Sequence, residues 1–177
     1  EPDGFGGVFN LCIGPPETVG EALIADRRLP LISATGSVRM GRIVGQRVAA
    51  RLGRVLLELG GNNAIVVTPH ANLDLAIPSI VFGAVGTAGQ RCTSTRRVIV
   101  HRSIQEELVE RLVHAYRSVR IGNPLDAATL MGPVISEQAV EDLHEARRRV
   151  QEEGGRVLYG GDRLDGEDYP SGLYVTP

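Results

Sequence analysis

Residues 54–68 read RVLLELGGNNAIVVT. Two apolar runs flank a Gly-Gly turn, so the stretch reads as strand, turn, strand. Upstream, Leu29–Ala34 is another short apolar run. Thr35-Gly36-Ser37 then opens a helical stretch, SVRMGRIVGQRVAARLG (37–53). Its Met40, Ile43, Val44 and Val48 follow the helical period, and Gly53 is its stop. Before that, a helix from Glu17 to Asp26 carries Val19, Leu23 and Ile24 on one face. Val8–Ile13 reads as a buried strand closed by Gly14-Pro15-Pro16, with Cys12 as a small buried hydrophobe inside it. Downstream, Leu73 to Val85 is apolar nearly all round, as a buried helix bent at Pro78 would be. Arg97–His101 is strand-like. Ile104, Leu108, Leu112 and Val119 mark an amphipathic helix, and Glu137 to Glu153 another, rich in charge. RVLYGG (156–161) and LYVTP (173–177) are the last short strands. Strands alternating with helices predict an α/β protein with parallel pairing and right-handed crossovers. The expected domain seam lies near Gly60-Gly61.

Composition narrows the function. The 177 residues are 42% apolar and 23% charged, the range of an ordinary globular protein. The net charge of −2 gives no reason to expect a polyanionic partner. Two cysteines are too few for a disulfide framework and favour a reducing, cytoplasmic compartment. No apolar run approaches the ~18–20 residues that span a bilayer. The chain opens without Met on EPDGFGGVFNLCIG and stops on SGLYVTP just as a strand-like run finishes. The expectation is a piece of a longer polypeptide.

Three places carry candidate chemistry. Cys92 stands among Gly86, Gly89, Gln90, Arg91, Thr93, Ser94 and Thr95, which are loop residues rather than core. Arg91, Arg96 and Arg97 favour the thiolate if they point toward the sulfur, which makes a nucleophile. The alternative is an inert buried thiol, as most free cysteines are. Glu58 interrupts an otherwise apolar strand, either paired with a cation or partly buried as a general base at a strand's carboxyl end. TGSVRMG (35–41) follows a strand and opens a helix. Gly36 permits a tight turn, and Ser37 stands by free helix N–H groups that suit a phosphate, or simply caps the helix. His70, His101, His114 and His144 lack metal-ligand spacing, so no metal is expected. HEARRRVQEE is a solvated helix face, and Asn62-Asn63 serve a turn.

Together these pieces resemble the aldehyde dehydrogenase superfamily. LELGGNN (57–63) is similar to its glutamate signature and GTAGQRCTSTRRVIVH (86–101) to its cysteine signature. TGSVRMG is similar to its nucleotide-contact turn, and GNPLD (122–126) with MGP (131–133) to a further shared stretch. The resemblance runs from Gly7 to Pro177. The double asparagine and GTAGQRC point to the antiquitin branch, the α-aminoadipic semialdehyde dehydrogenases.

The resemblance implies a fold and a set of roles. Residues 1–57 are the second half of a Rossmann-type NAD domain, and 58–177 most of a catalytic α/β domain. Cys92 is the nucleophile that forms a thiohemiacetal and then a thioester, and its backbone N–H lines the oxyanion hole. Glu58 activates water. Gly36 and Ser37 contact the pyrophosphate, Leu59 and Gly60 border the nicotinamide, and Gly20 lies against the adenosine end. Arg91 holds the charged end of an amino-acid semialdehyde. The cofactor is NAD, with NADP left open. The partner is a small-molecule aldehyde, with neither nucleic acid nor membrane, and the parent is a homo-oligomer, a tetramer or a dimer. Pro16, Ala34 and Val38 depart from the family pattern around the nucleotide. An oxyanion asparagine and the adenosine-ribose residues belong upstream of residue 1, and a nicotinamide-ribose glutamate downstream of residue 177. The isolated chain is therefore expected to have little dehydrogenase activity. The alternatives are an inert module of the same fold and a CoA-acylating relative.

Overall fold

The computed structural model describes Gly4 and residues 7–177, so part of the opening turn lies outside the described residues. The chain divides into two bodies, Glu1–Gly60 and Gly61–Pro177. No helix among the described residues is long and apolar enough to cross a membrane.

The first body is a β-α-β unit with a helical prelude. A wide helical turn, Pro16–Gly20, leads into α1, Glu21–Ala25. Strand β1, Leu31–Gly36, is followed by α2, Val38–Ala50, and β2, Arg54–Leu59. The two strands pair in parallel from Leu31 opposite Arg54 to Gly36 opposite Leu59. Helix α2 covers them with Val44 and Val48, which join Ile24 in a small core against Ile32, Ala34, Met40 and Leu57. Gly41 is needed for this approach, because a Cβ there would stand 2.5 Å from Leu59 Cδ2. Past α2 the chain reverses through Leu52 at φ 61°, and Gly53 N–H bonds back to Val48 O at 3.0 Å. Arg51 fastens this end by donating to the carbonyls of Ile24 and Leu29, both at 2.8 Å.

The second body repeats the theme and extends it. Strand β3, Asn63–Val67, and strand β4, Thr95–Val100, pair in parallel around α3, Leu73–Val85. Asn72 caps α3 by accepting from the N–H groups of Asp74 and Leu75. Helix α4, Gln105–Arg117, lies against α3, and Leu108, 1% exposed, joins Val67, Leu73, Ile77 and Ile80 in one core cluster. Helix α5, Glu137–Glu152, is capped by Ser136 and buries Val140 in a second cluster with Val85, Met131, Val134 and Val175. A short antiparallel pair ends the chain, β5 at Arg163–Leu164 and β6 at Tyr174–Val175.

The α/β class and the parallel pairing of β1 with β2 and of β3 with β4 match the sequence reading; the antiparallel β5–β6 pair and several local expectations do not. Val8–Ile13 forms no strand, and Phe9, Leu11 and Ile13 are largely exposed. No described segment offers that run a ladder partner, and a lone strand leaves its backbone groups to water. Cys12 is accordingly exposed, not buried. β1 begins at Leu31, two residues later than expected. Ile43 is exposed, because the buried stripe of α2 runs through Gly41, Val44 and Val48. Helix α3 runs through Pro78, and its outer face leaves Leu75 and Phe82 exposed despite its uniform apolarity. Residues 156–161 form no strand, since Gly160 and Gly161 turn the chain at φ 70° and 80°.

Candidate active site

In the first body, β1 delivers Gly36 to the head of α2, next to the end of β2. Ser37 caps the helix, its Oγ accepting from Met40 N–H at 3.1 Å. The first turn of α2 carries no acidic residue, so its free N–H groups face no competing anion. The register sets Thr35 opposite Glu58 and Gly36 opposite Leu59, with Gly60 next in the chain. Gly36, Ser37, Glu58, Leu59 and Gly60 thus gather at one end of the β1–β2 pair. Leu57 and Leu59 turn toward α2, and the pleat sends Glu58 to the other side. The Glu58 carboxylate is exposed, against the expected partial burial. A Cβ on Gly60 would meet nothing within 4 Å, so its surroundings are open. Gly20 closes the helical turn ahead of α1, apart from this group in the chain.

In the second body, Cys92 follows a tight turn over Gly86–Gly89. Thr87, Ala88 and Gly89 all have positive φ, at 55°, 51° and 71°. Two non-glycine residues in succession there are strained, and such strain gathers at functional sites. The turn carries the chain off the end of α3 and leaves Cys92 exposed. Of the two readings left open for Cys92, a reactive loop thiol and an inert buried one, the burial of the second is not observed: the residue is exposed.

The loop is held on three sides. Gln90 donates from Nε2 to Thr87 O at 3.2 Å and accepts from Ile135 N–H at 2.9 Å. Arg91 N–H donates to Ser94 Oγ at 3.0 Å, while Ser94 N–H donates to Arg91 O at 3.1 Å. Ser94, 2% exposed, is the pivot of this closed turn. From across the sheet, Asn63 Nδ2 donates to Cys92 O at 2.6 Å and to Ser94 O at 3.0 Å. Sequence reasoning assigned Asn63 only to a turn; instead it opens β3 with its amide on the cysteine loop. The clue available beforehand was an amide just past a Gly-Gly pair, which can satisfy two carbonyls at once.

Two of the three arginines beside Cys92, Arg91 and Arg97, commit donors to main-chain carbonyls. Arg97 donates to Asn62 O from Nη2 at 2.6 Å and from Nε at 3.1 Å. Arg91 donates from Nη2 to Phe82 O at 2.9 Å, and its guanidinium lies 4.9 Å over the Phe82 ring. It packs on Gly86, where a Cβ would collide with it. Arg91 Nε is buried with no partner. An open apolar groove of about 540 Å³ lies between α5 and residues 157–161 and 175–177. Ala88 and Gln90 reach its edge, but Cys92 does not line it. Among the described residues, no group of three or more His, Cys, Asp or Glu side chains is arranged to hold a metal. Glu58 belongs to the first body and Cys92 to the second.

The chain is 46% identical to bovine alpha-aminoadipic semialdehyde dehydrogenase over 97% of its own length and 31% of that protein's. It is 44% identical to aldehyde dehydrogenase family 7 member B4 of Arabidopsis thaliana, again over 97% of its length and 33% of the relative's. It spans about a third of the length of the curated relatives it matches. Among solved structures, HpcC from Thermus thermophilus superposes with a TM-score of 0.91 at 36% identity, covering 97% of this chain and 34% of that one. Betaine aldehyde dehydrogenase from Staphylococcus aureus, in complex with NAD+, gives a TM-score of 0.88 at 30% identity, covering 93% and 33%. The model of the aldehyde dehydrogenase family matches residues 6–177, and the chain belongs to that family.

Proposed function

We propose that the full-length protein oxidises an aldehyde, an amino-acid semialdehyde, to a carboxylate with NAD. The observation that carries this reading is the exposed Cys92 thiol on a strained, fastened turn, in a chain of this family. The kinship with a protein named for alpha-aminoadipic semialdehyde supports the substrate class. Residues 1–57 then belong to the NAD-binding domain and 58–177 to the catalytic domain. The first body suits the nucleotide. Gly36 and Gly60 leave the backbone bare, and the head of α2 offers N–H groups with no acidic side chain in its first turn. In this reading Gly36 and Ser37 hold the pyrophosphate, Leu59 and Gly60 border the nicotinamide, and Gly20 faces the adenosine end. NAD, when bound, accepts the hydride.

The residues of the chain do the rest. Cys92, as the thiolate, attacks the aldehyde carbon; an S–C bond forms and the carbonyl π pair moves to oxygen. The Cys92 N–H donates to that oxygen. When the carbon loses its hydride, the oxygen's electron pair returns and leaves a thioester on Cys92. Glu58 then takes a proton from water as the water oxygen attacks the thioester. The C–S bond breaks, and Cys92 departs as the thiolate. In this reading Arg91, the residue before Cys92, holds the charged end of the semialdehyde. Two free thiols fit a reducing, cytoplasmic setting, and homo-oligomeric assembly belongs to the same reading.

The test uses the full-length protein with NAD and an amino-acid semialdehyde. Cys92→Ala is expected to abolish NADH formation. Glu58→Gln is expected to give one NADH per Cys92 and then stall, with an acyl mass on the peptide that contains Cys92. Steady turnover by Glu58→Gln at the wild-type rate, or an acyl group on Cys12 instead, overturns the scheme. Release of product as an acyl-CoA when CoA is added would favour the CoA-acylating alternative.

A further inference from the structure

We propose that Asn63 is the positioning residue for Cys92, fixing the peptide that carries the nucleophile through both N–H groups of its amide. The kinetic part of the proposal rests on the dehydrogenase reading above; the geometric part does not. Its two acceptors are the carbonyls of Cys92, at 2.6 Å, and of Ser94, at 3.0 Å. These lie on either side of Thr93, so one planar group spans the turn just past the nucleophile. A side-chain amide has two donors on one nitrogen, and here both are used.

The local backbone is built to aim this side chain. β3 and β4 pair with Asn63 opposite Thr95 but Ala64 opposite Arg97, so the ladder skips a residue at this point. A bulge of this kind re-aims a side chain, and bulges are enriched next to active sites. Asn63 is half-buried, and the Ser94 it reaches is 2% exposed. Without the amide, the Ser94 carbonyl loses the donor it has in a site shielded from water.

Fixing these carbonyls fixes Cys92. Ser94 already closes the turn onto Arg91 through two reciprocal hydrogen bonds. With Asn63 added, the main chain is held at residues 91, 92 and 94. The Cα–Cβ direction of Cys92 then has little freedom, and the sulfur swings about one torsion only. Left unheld, a turn that follows three left-handed residues has several lower-energy conformations to visit. The Cys92 N–H, the group that would face a developing oxyanion, belongs to the Arg91–Cys92 peptide; Ser94 N–H holds that peptide through Arg91 O, and Asn63 acts on it by fixing Ser94.

The test compares Asn63→Asp, which keeps the shape but has no N–H, with Asn63→Ser, which restores one donor. In the full-length protein, native-state hydrogen exchange of the Arg91 and Ser94 amides is expected to speed about tenfold in Asn63→Asp. Asn63→Ser is expected to fall between that variant and the parent. The His101 amide, bonded to Val67 O at 2.9 Å on the same sheet, is the internal reference and is expected to stay unchanged. In the full-length enzyme, kcat falls about tenfold or more in Asn63→Asp, with KM for aldehyde and NAD within about twofold, and Asn63→Ser recovers part of kcat. Unchanged exchange at Arg91 and Ser94 overturns the proposal. So does a kcat that holds while thermal stability alone falls. If Asn63→Asp does not fold, Asn63→Ser carries both measurements, with the same two outcomes deciding. A wild-type protein that forms no NADH sinks the dehydrogenase reading instead, and the exchange result then decides the role of Asn63 by itself.

Discussion

Replacing Thr87 with glycine should stabilise the chain, although glycine substitutions ordinarily do the opposite. Thr87 sits at φ 55° and ψ 37°, in the left-handed region, and it is exposed. An L-residue there bears a penalty of about 1–2 kcal/mol from its Cβ meeting the carbonyl oxygen. Glycine is free of that penalty but gives the unfolded chain more freedom, which costs about 0.5–1 kcal/mol. The exposed side chain contributes little packing to subtract. The balance is a gain of about 0.5–1 kcal/mol, or a rise in Tm of about 2–3 °C for a chain of this size. Ala146→Gly, at an exposed position inside α5, supplies the opposite sign, a loss of about 1 kcal/mol. Thr87→Ala keeps the strain and should stay within about 0.5 kcal/mol of the parent. The chain has no tryptophan, so urea unfolding is best followed by far-ultraviolet circular dichroism. If Thr87→Gly loses as much stability as Ala146→Gly, the turn before Cys92 holds no strain, and the argument built on it fails.

Leu108→Ala empties a site that is 1% exposed at the centre of the α3–α4 core; it should cost about 3–4 kcal/mol in urea denaturation. Ser37→Ala removes the cap of α2 and should cost about 1 kcal/mol, read in the same way. Burial raises the pKa of Tyr116 above its ordinary value of 10.0. The folded state therefore keeps the phenolic proton that the unfolded state loses, and stability falls as pH rises above about 10. Tyr116→Phe should flatten that alkaline decline, measured as urea midpoints across the range; an unchanged slope would show that another group drives it.

The elements that were legible in the sequence are those whose pattern closes locally. Ser37 before an amphipathic run, the apolar run from Leu73 and the Ile104–Leu112 stripe each carry their own cap or period, and α2, α3 and α4 followed. Glu58 and Cys92 stood out because a carboxylate in a strand and a thiol among glycines break local rules. What depends on distant partners was not legible. Val8–Ile13 has the composition of a strand, but a strand exists only with a neighbour to pair with. The outer face of α3 is as apolar as its inner face, so periodicity alone did not reveal that Leu75 and Phe82 stay exposed. The destination of the Arg91 guanidinium, the carbonyl of Phe82, lies nine residues back on α3 and has no local signature. Asn63 was hidden for the same reason, its acceptors lying 29 and 31 residues away.

The two asparagines after the Gly-Gly pair and the segment around Cys92 are stitched together. Arg97 reaches back to Asn62 O, and Asn63 reaches forward to Cys92 O and Ser94 O. Stretches separated by some thirty positions therefore behave as one mechanical part. An engineer who grafts residues 86–97 into a cousin, hoping to transfer its reactivity, must move residue 63 as well, whereas residue 62 offers only a main-chain carbonyl that any residue supplies. Drift at Asn63 is similarly answerable to the far segment, so that position and the cysteine turn are expected to vary in step.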